Sequence, residues 1–508
     1  MIKSIFNICF FTIKKLYQKA LIIYNFFINI IRKAMRFDWK LYLIPYLLLR
    51  VPALCFYILN NDEIVPFRYI NNFKTYILSD VRLPFYDYLF VKIYTFFFGT
   101  TLFPLRIINL IIGSIALFYI YILFSYIKGK KVAHFVCLLY TLSPVFVFYN
   151  VYTESYNLSI LCLIACVYYT QKKLSNDINK KEKLFFLLFN FILVFTHYLN
   201  IVFLGIYYFL NLLRNKKIFS VFIIFLLLSI IPLGLRFNNV FLAHNSYGNS
   251  ELLNPNLKAT SLYPFNNPVS IFFYLFTGLK IASNLWFLLF MIFVVIITLI
   301  YSFKEKDTKI NTLILSSYIY FLIISLLTIN LDRRLLSSSF SQDYLSIVAL
   351  YIMFPFFHFI SKTKKILMIS FILLFLISDF FICKNSIILN KGFSSIKKYF
   401  DSISPVFVLS EDFTSESTSK EFVQLLFPNA DYKYLNKNFD TVKGKYVIIV
   451  NYPENMLDFI DDKILLQKNK RLKNLHDQFY EIRAFVKDKV LLKEVKLGGD
   501  YFLIYEKK

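Results

Sequence analysis

Long apolar runs alternate with short clusters of lysine along most of the chain. The runs fall at 41–59, 103–125, 132–149, 156–171, 184–197, 199–213, 218–235, 284–303, 310–329, 342–361 and 366–384. Each reads as a transmembrane helix, several of them nearer about fifteen residues than about twenty. Two more helices are too short or too polar to span. One covers 85–98, opened by Pro84, ended by Gly99 and carrying Asp87 and Lys92; the other covers 269–281. Both are expected in the plane of the membrane interface.

The connections carry the orientation. Lys128-Gly129-Lys130-Lys131, the lysine-rich 171–183, Arg214-Asn215-Lys216-Lys217, residues 304–309 and Lys362-Thr363-Lys364-Lys365 all fall on one side of the alternation. Short basic connections stay in the cytoplasm, which makes that side the inner one. Residues 1–40, with Lys14, Lys15, Lys19, Arg32, Lys33 and Arg36, read as a basic amphipathic segment on the cytoplasmic membrane face. No small-residue cleavage site follows the first apolar stretch, so it is not read as a signal peptide. About eleven spans then put the N-terminus inside and the C-terminus outside. The outer side collects 60–102, the turns at 150–155 and 196–198, the loop 236–268 and the segment 330–341.

From about residue 385 the period changes. Strands are expected at 405–410 and 445–450, helices at 421–426 and 463–485, and a hairpin of 493–497 and 501–505 turned by Gly498-Gly499. The fold class is therefore an α-helical polytopic membrane protein with a small C-terminal extracytoplasmic α/β domain. Its divisions are 1–40, a transmembrane domain over 41–384, and the α/β domain over 385–508.

Composition narrows the class further. Of 508 residues 58% are hydrophobic, more than a soluble fold can bury. The formal net charge of +26 comes from lysines set between apolar runs, not from one basic face, so membrane lipids and not nucleic acid are the partners it implies. The six cysteines lie mostly inside apolar runs and imply no disulfide framework; Cys162 and Cys166 share one helix face as core packing.

Ionisable groups at membrane depth are costly and tend to mark chemistry. Arg50 lies near the middle of the first run, so it faces other helices or snorkels along a polar groove. That run stops at Asn60-Asn61, and Asp62-Glu63 follow. As an isolated pair these are solvated loop residues with Asp62 an N-cap; placed where a span meets the outer water layer, they are also candidates for acid–base work. Glu154 stands at the next outer turn, before Ser155-Tyr156, where an exposed acid needs no special role. His197, in Thr196-His197-Tyr198, is an interfacial hydrogen-bonding residue or a substrate contact; the turn shows no second ligand at zinc-like spacing. Arg82 and Asp332-Arg333-Arg334 supply outer cations, either as ordinary flanking charges or as phosphate ligands, since guanidinium matches phosphate bidentately. No glycine-rich nucleotide loop is present, which disfavours a nucleotide-dependent enzyme.

The order of these features resembles the GT-C membrane glycosyltransferases. It is most similar to the bacterial proteins of dolichyl-phosphate-mannose–protein mannosyltransferase and aminoarabinose-transferase type (glycosyltransferase family 39-like). The resemblance rests on Arg50, Asp62-Glu63, Leu83-Pro84-Phe85-Tyr86, Phe98-Gly99, Leu105-Arg106, Ser143-Pro144, Glu154-Ser155-Tyr156, Thr196-His197-Tyr198 and the run from Tyr344 to Pro355. It covers about residues 40–360 and departs from the family's pattern at Phe85, Ser155 and Asp343. It implies a GT-C-type catalytic domain over 41–384 that transfers a sugar, with inversion, from a polyprenyl-phosphate donor to a lipid, glycan or protein acceptor on the outer face. A polyprenyl phosphate leaves as an anion and needs cations or a divalent metal, while the acceptor hydroxyl needs a base. The resemblance assigns catalysis to Asp62 and Glu63. Contacts to donor and acceptor fall to Glu154, Arg82, Lys92, Tyr156, His197, Arg333 and Arg334. A polytopic transporter or flippase, or a lipid-linked glycan polymerase or ligase of the cell envelope, has the same gross composition. A transporter, however, is expected to show internal repeats and broken mid-membrane helices.

Topology is directly testable. Reporter fusions after Lys130, Lys216 and Lys364 are expected to report the cytoplasm, and one after Lys508 the outside. A cytoplasmic signal at Lys508 overturns the parity.

Overall fold

The structure, a computed structural model, describes residues 39–54, 89–98, 102–151, 155–247, 268–278, 285–305, 307–330, 346–363, 366–381, 383–384, 406–410, 446–453, 490–497 and 500–507. The expectations for residues 1–38, for Asp62-Glu63, Arg82, Glu154, Arg333-Arg334 and Tyr344, and for the helices at 421–426 and 463–485 lie outside them.

Helices make up the first part. After a 3-10 turn at Trp39–Tyr42 come α1 (Leu43–Leu54), α2 (Val91–Phe98), α3 (Leu102–Lys128), α4 (Lys130–Leu142), α5 (Pro144–Tyr149) and α6 (Tyr156–Leu174). They are followed by α7 (Lys180–Thr196), α8 (Tyr198–Arg214), α9 (Phe219–Tyr247), α10 (Pro268–Thr277), α11 (Leu285–Lys304), α12 (Thr308–Asn330) and α13 (Ala349–Thr363). A last apolar helix, α14, covers Ile366–Phe381. Within this set Phe103–Lys128, Lys216–Gly234 and Thr308–Ser325 are long and apolar enough to cross a membrane, and Leu199–Arg214, Leu288–Lys304, Ala349–Lys362 and Ile366–Phe381 are shorter apolar helices. Large apolar side chains remain exposed along them, among them Leu227, Ile230 and Ile231 on α9 and Trp286, Phe293 and Phe303 on α11. Such a surface suits hydrocarbon, not water.

Two runs depart from their expected bounds. The run 132–149 is two helices, because Pro144 has no N–H to continue α4; Ser143 turns extended (φ −70°, ψ 125°) and α5 restarts at Pro144. The run 218–235 continues as helix to Tyr247, so 236–247 is not loop; Pro232 sits inside the helix and does not end it. The apolar run ends where Arg236, Asn238 and Asn239 begin, but a helix can continue past its apolar stretch.

Local chemistry sets the other boundaries. Gly129, at φ +87°, separates α3 from α4 in a conformation that side chains other than glycine rarely adopt. Asn179 and Glu182 form a capping box at the start of α7, each side chain bonding the other's backbone N–H.

The basic connections gather at one end of the bundle. Lys128 at the end of α3 pairs with Glu305 (2.5 Å) and Asp307 (3.3 Å) after α11. Lys173 reaches Ser220, Lys309 reaches Ser175, and Arg214 bonds the Thr308 carbonyl and the Thr312 hydroxyl. Lys304 lies over the Phe359 ring near the end of α13. The expected alternation is thus realised as one lysine-rich end and one end nearly free of lysine among the described helices.

The C-terminal strands are β1 (Val406–Ser410), β2 (Tyr446–Pro453), β3 (Val490–Leu497) and β4 (Asp500–Lys507), in the order β1-β2-β4-β3. β1 runs parallel to β2, and β4 pairs antiparallel with both β2 and β3. The hairpin expected around Gly498-Gly499 forms, with Leu497 opposite Asp500 and a register shift between Leu491 and Lys493.

Lys172 and Glu182, 2.5 Å apart, tie α6 to α7 in a basic connection outside the apolar runs. Burial raises the Glu182 carboxyl, but hydrogen bonds from Lys172 and the Asn179 backbone outweigh it and hold the carboxyl below its usual value. A carboxylate depressed on folding stabilises above its unfolded pKa and loses that contribution as pH falls through the folded one. Glu182→Gln is therefore expected to lower stability by about 0.5–1 kcal/mol at neutral pH. The difference from the parent should persist down to about pH 4.3, the ordinary glutamate value, and shrink as pH falls below it; thermal unfolding of both proteins across that range checks it.

Candidate functional site

A seam of polar side chains runs through the bundle at the end away from the lysines. Arg50, Arg106, Asn109, Thr141, Ser143, Asn150, Asn157, Ser159 and Asn200 are all fully buried there, and Asp379 is 1% exposed. Arg106 and Asn109 lie in the first turns of α3, Thr141 in the last turn of α4, and Asn157 and Asn200 in the first turns of α6 and α8. Those helices run alternately up and down, so their polar ends meet at one level.

Arg50 is the centre of the seam. The break before Pro144 leaves the last carbonyls of α4 without helical donors, the Tyr140 carbonyl most directly, since a residue-144 N–H would have bonded it. Arg50 fills that gap. Its Nη1 donates to the Thr141 carbonyl (3.1 Å) and to the Tyr46 carbonyl of its own helix (3.1 Å), and its Nη2 donates to the Tyr140 carbonyl (3.2 Å). A cation at a helix C-terminus also complements the helix dipole. The guanidinium carbon lies 3.9 Å from the centroid of the Tyr46 ring and 6.0 Å from that of Tyr140, and the two rings stack at 6.1 Å. Arg50 thus faces other helices, one of the two placements expected for it.

The tyrosines carry the network onward. The Tyr46 hydroxyl donates to the Leu110 carbonyl (3.2 Å), and the Tyr140 hydroxyl lies 3.3 Å from the Gly113 carbonyl and 3.1 Å from Asn150 Oδ1. Asn157 donates to the Asn109 carbonyl and the Asn150 carbonyl, and Asn200 donates to Ser159 Oγ (3.0 Å) and the Leu193 carbonyl (3.2 Å). The network passes from α1 through α3, α4 and α5 to α6; Asn200 joins α8 to α6 beside it.

Of the residues expected to bind substrate, the structure places Lys92, Tyr156 and His197. Tyr156 and His197 come together, with rings 5.4 Å apart, and the Tyr149 ring meets Tyr156 at 5.6 Å. His197 is half-buried and caps α8, its Nδ1 accepting from the Leu199 N–H (3.2 Å). It is thus a hydrogen-bonding residue at the helix start, one of its two expected readings. Lys92 is exposed on α2. Asp62, Glu63, Arg82, Glu154, Arg333 and Arg334 lie outside the described residues, although the chain enters and leaves the Glu154 turn at Val151 and Ser155, both buried at this end. Cys162 and Cys166 are buried in the core as expected. Among the described residues no group of three or more His, Cys, Asp or Glu is placed to hold a metal ion.

Asp379 escaped the sequence reading. The signal was a single carboxylate inside the apolar run 366–384, which membrane energetics marks as unusual in the same way as Arg50.

No family model matches the chain, and no curated protein matches it. Two solved structures of ArnT from Cupriavidus metallidurans, one bound to undecaprenyl phosphate and one in the apo state, align with 92% of this chain and 97% of their own. Each is 9% identical in sequence, with TM-scores of 0.41 and 0.44 respectively. A likeness at that level fixes neither an activity nor a ligand.

The close approach at Gly113 tests the seam. A Cβ there would strike the Tyr46 hydroxyl and come within 3.0 Å of Asn150 Cγ, whereas a Cβ at Gly205 meets only the Phe225 ring at 3.6 Å. Gly113→Ala is expected to destabilise by about 1–3 kcal/mol through overpacking. Gly205→Ala should be neutral or stabilising by up to about 1 kcal/mol, through helix propensity. Thermal unfolding of the two variants in detergent distinguishes them.

Proposed function

We propose that the chain is a GT-C-type glycosyltransferase that moves a sugar, with inversion, from a polyprenyl-phosphate donor to an acceptor at the outer membrane face. The observation that carries this reading is the burial of Arg106 with a row of asparagines at the lysine-poor end of an apolar bundle. Polar and ionisable groups are retained at membrane depth where chemistry or a pathway needs them. The motif order from Arg50 to Tyr156 and His197 supplies the reaction type, and the gathering of the lysine-rich connections at the opposite end supports placing that end in the cytoplasm. With about eleven spans, the N-terminal segment 1–40 lies inside, the catalytic domain spans 41–384, and the domain 385–508 carrying the four-stranded sheet lies outside.

The division of labour follows from the reaction. The donor's leaving group is already an anionic phosphate, so its departure needs positive charge and no proton; Arg82, Lys92, Arg333 and Arg334 are the cations assigned to it. The acceptor hydroxyl must lose a proton as it attacks, and Asp62 at the end of the first span takes it, with Glu63 orienting the acceptor or a metal. Tyr156, His197 and Glu154 border the acceptor from the neighbouring outer turns.

Asp62→Asn keeps the shape and removes the basicity. It is expected to lower kcat about 10²–10⁴-fold with donor binding and protein level near those of the parent. Glu154→Gln should weaken acceptor binding more than turnover. Transfer of radiolabelled sugar from a polyprenyl-phosphate donor by purified variants measures both. Near-normal transfer by Asp62→Asn together with none by Glu154→Gln would move the base to the second outer turn.

A further inference from the structure

Asp379 and Arg50 are both buried, and each has polar atoms left over. Arg50 spends Nη1 and Nη2 on backbone carbonyls and leaves its Nε–H without a hydrogen-bond partner among the described residues. Asp379 has neither carboxylate oxygen bonded among them. One side therefore offers a spare donor and the other two spare acceptors, which are complementary.

Their helices meet at the same joint. Cys383, one turn beyond Asp379, contacts the Leu49 carbonyl (3.8 Å), the residue before Arg50. Ser378, the residue before Asp379, donates to the Gly278 carbonyl (2.6 Å) at the end of α10. A Cβ on Gly278 would come within 2.6 Å of Pro144 Cγ and 2.8 Å of Ser378 Cβ, so α14, the end of α10 and the start of α5 are packed to contact. Arg50 bonds carbonyls two and three residues before Ser143, at that same start. Arg50 and Asp379 nevertheless make no direct hydrogen bond to one another. Thr141 Oγ1 and Ser143 Oγ, on the same break, also lack partners among the described residues. A spare donor, spare acceptors and two unpartnered hydroxyls around one helix joint have the chemistry of a buried water site.

We infer that Asp379 is the buried counter-charge of Arg50, joined to it by a water held between Arg50 Nε and the Asp379 carboxylate at the Ser143-Pro144 break. The bridge fastens the last apolar helix to the first across the helix break, independently of what the protein transfers. It also accounts for a carboxylate in an apolar helix, since an unpaired buried charge is strongly destabilising and a paired one is tolerated.

A double-mutant cycle on the full-length protein in lipid nanodiscs tests it. Asp379→Leu is expected to lower the thermal unfolding midpoint by several degrees in the parent and by less than half as much in an Arg50→Gln background. Asp379→Asn, which still binds water but carries no charge, should fall between Asp379→Leu and the parent. Equal losses from Asp379→Leu in both backgrounds overturn the pairing. If Arg50→Gln yields no folded protein, a high-resolution density map of the parent decides. Density within hydrogen-bond distance of both Arg50 Nε and the carboxylate supports the bridge; a direct contact between them, or no density there, overturns it.

Discussion

The structure depends on one contact, the Arg50 guanidinium against the carbonyls that the Ser143-Pro144 break leaves open. In water such carbonyls would be solvated. Inside an apolar bundle each unpaired one costs on the order of 1–3 kcal/mol, so a break there is viable only if something donates to it. Arginine suits the role because its planar fork addresses several carbonyls at once and stays charged. Around it the tyrosine pair Tyr46 and Tyr140 supplies ring faces to the cation and hydroxyls to α3, and the close approach at Gly113 leaves room for both.

The two ends of the bundle hold charge in opposite ways. At the lysine-rich end, charges are partly exposed and paired through long, flexible side chains, as Lys128 is with Glu305 and Asp307. Such pairs contribute little to stability and serve orientation. At the other end the polar groups are buried, short and bonded to backbone, as Asn157 and Asn200 are. Buried networks of this kind fix geometry, because each group left unpaired is costly.

Much of the helical plan was legible from the apolar runs, because hydropathy over a span is a strong signal and backbone satisfaction forces helix. The strands around Gly498-Gly499 were legible from a turn signal. The break at Ser143 was present in the sequence as a proline but merged into one run, since Val145, Phe146 and Val147 continue the apolar pattern. Pro232 shows the converse, a proline that breaks nothing. Arg50 stood out as an arginine in an apolar run, and its burial follows from that cost; its particular carbonyls do not, because they belong to residues about ninety positions away. Tyr156 and His197 were named separately, and only packing shows that their rings meet.

Helix length varies widely around the bundle. α3 has 27 residues, α8 has 17 and α13 has 15, which at 1.5 Å per residue correspond to roughly 40, 26 and 23 Å. Against a hydrocarbon core of about 30 Å, α3 is long enough to cross with tilt. α13 is almost wholly enclosed by other helices, from Ala349 through Phe357, so its length is matched to protein neighbours and not to lipid. Only helices with an exposed apolar flank, such as α9 and α11, are held to the thickness of the bilayer.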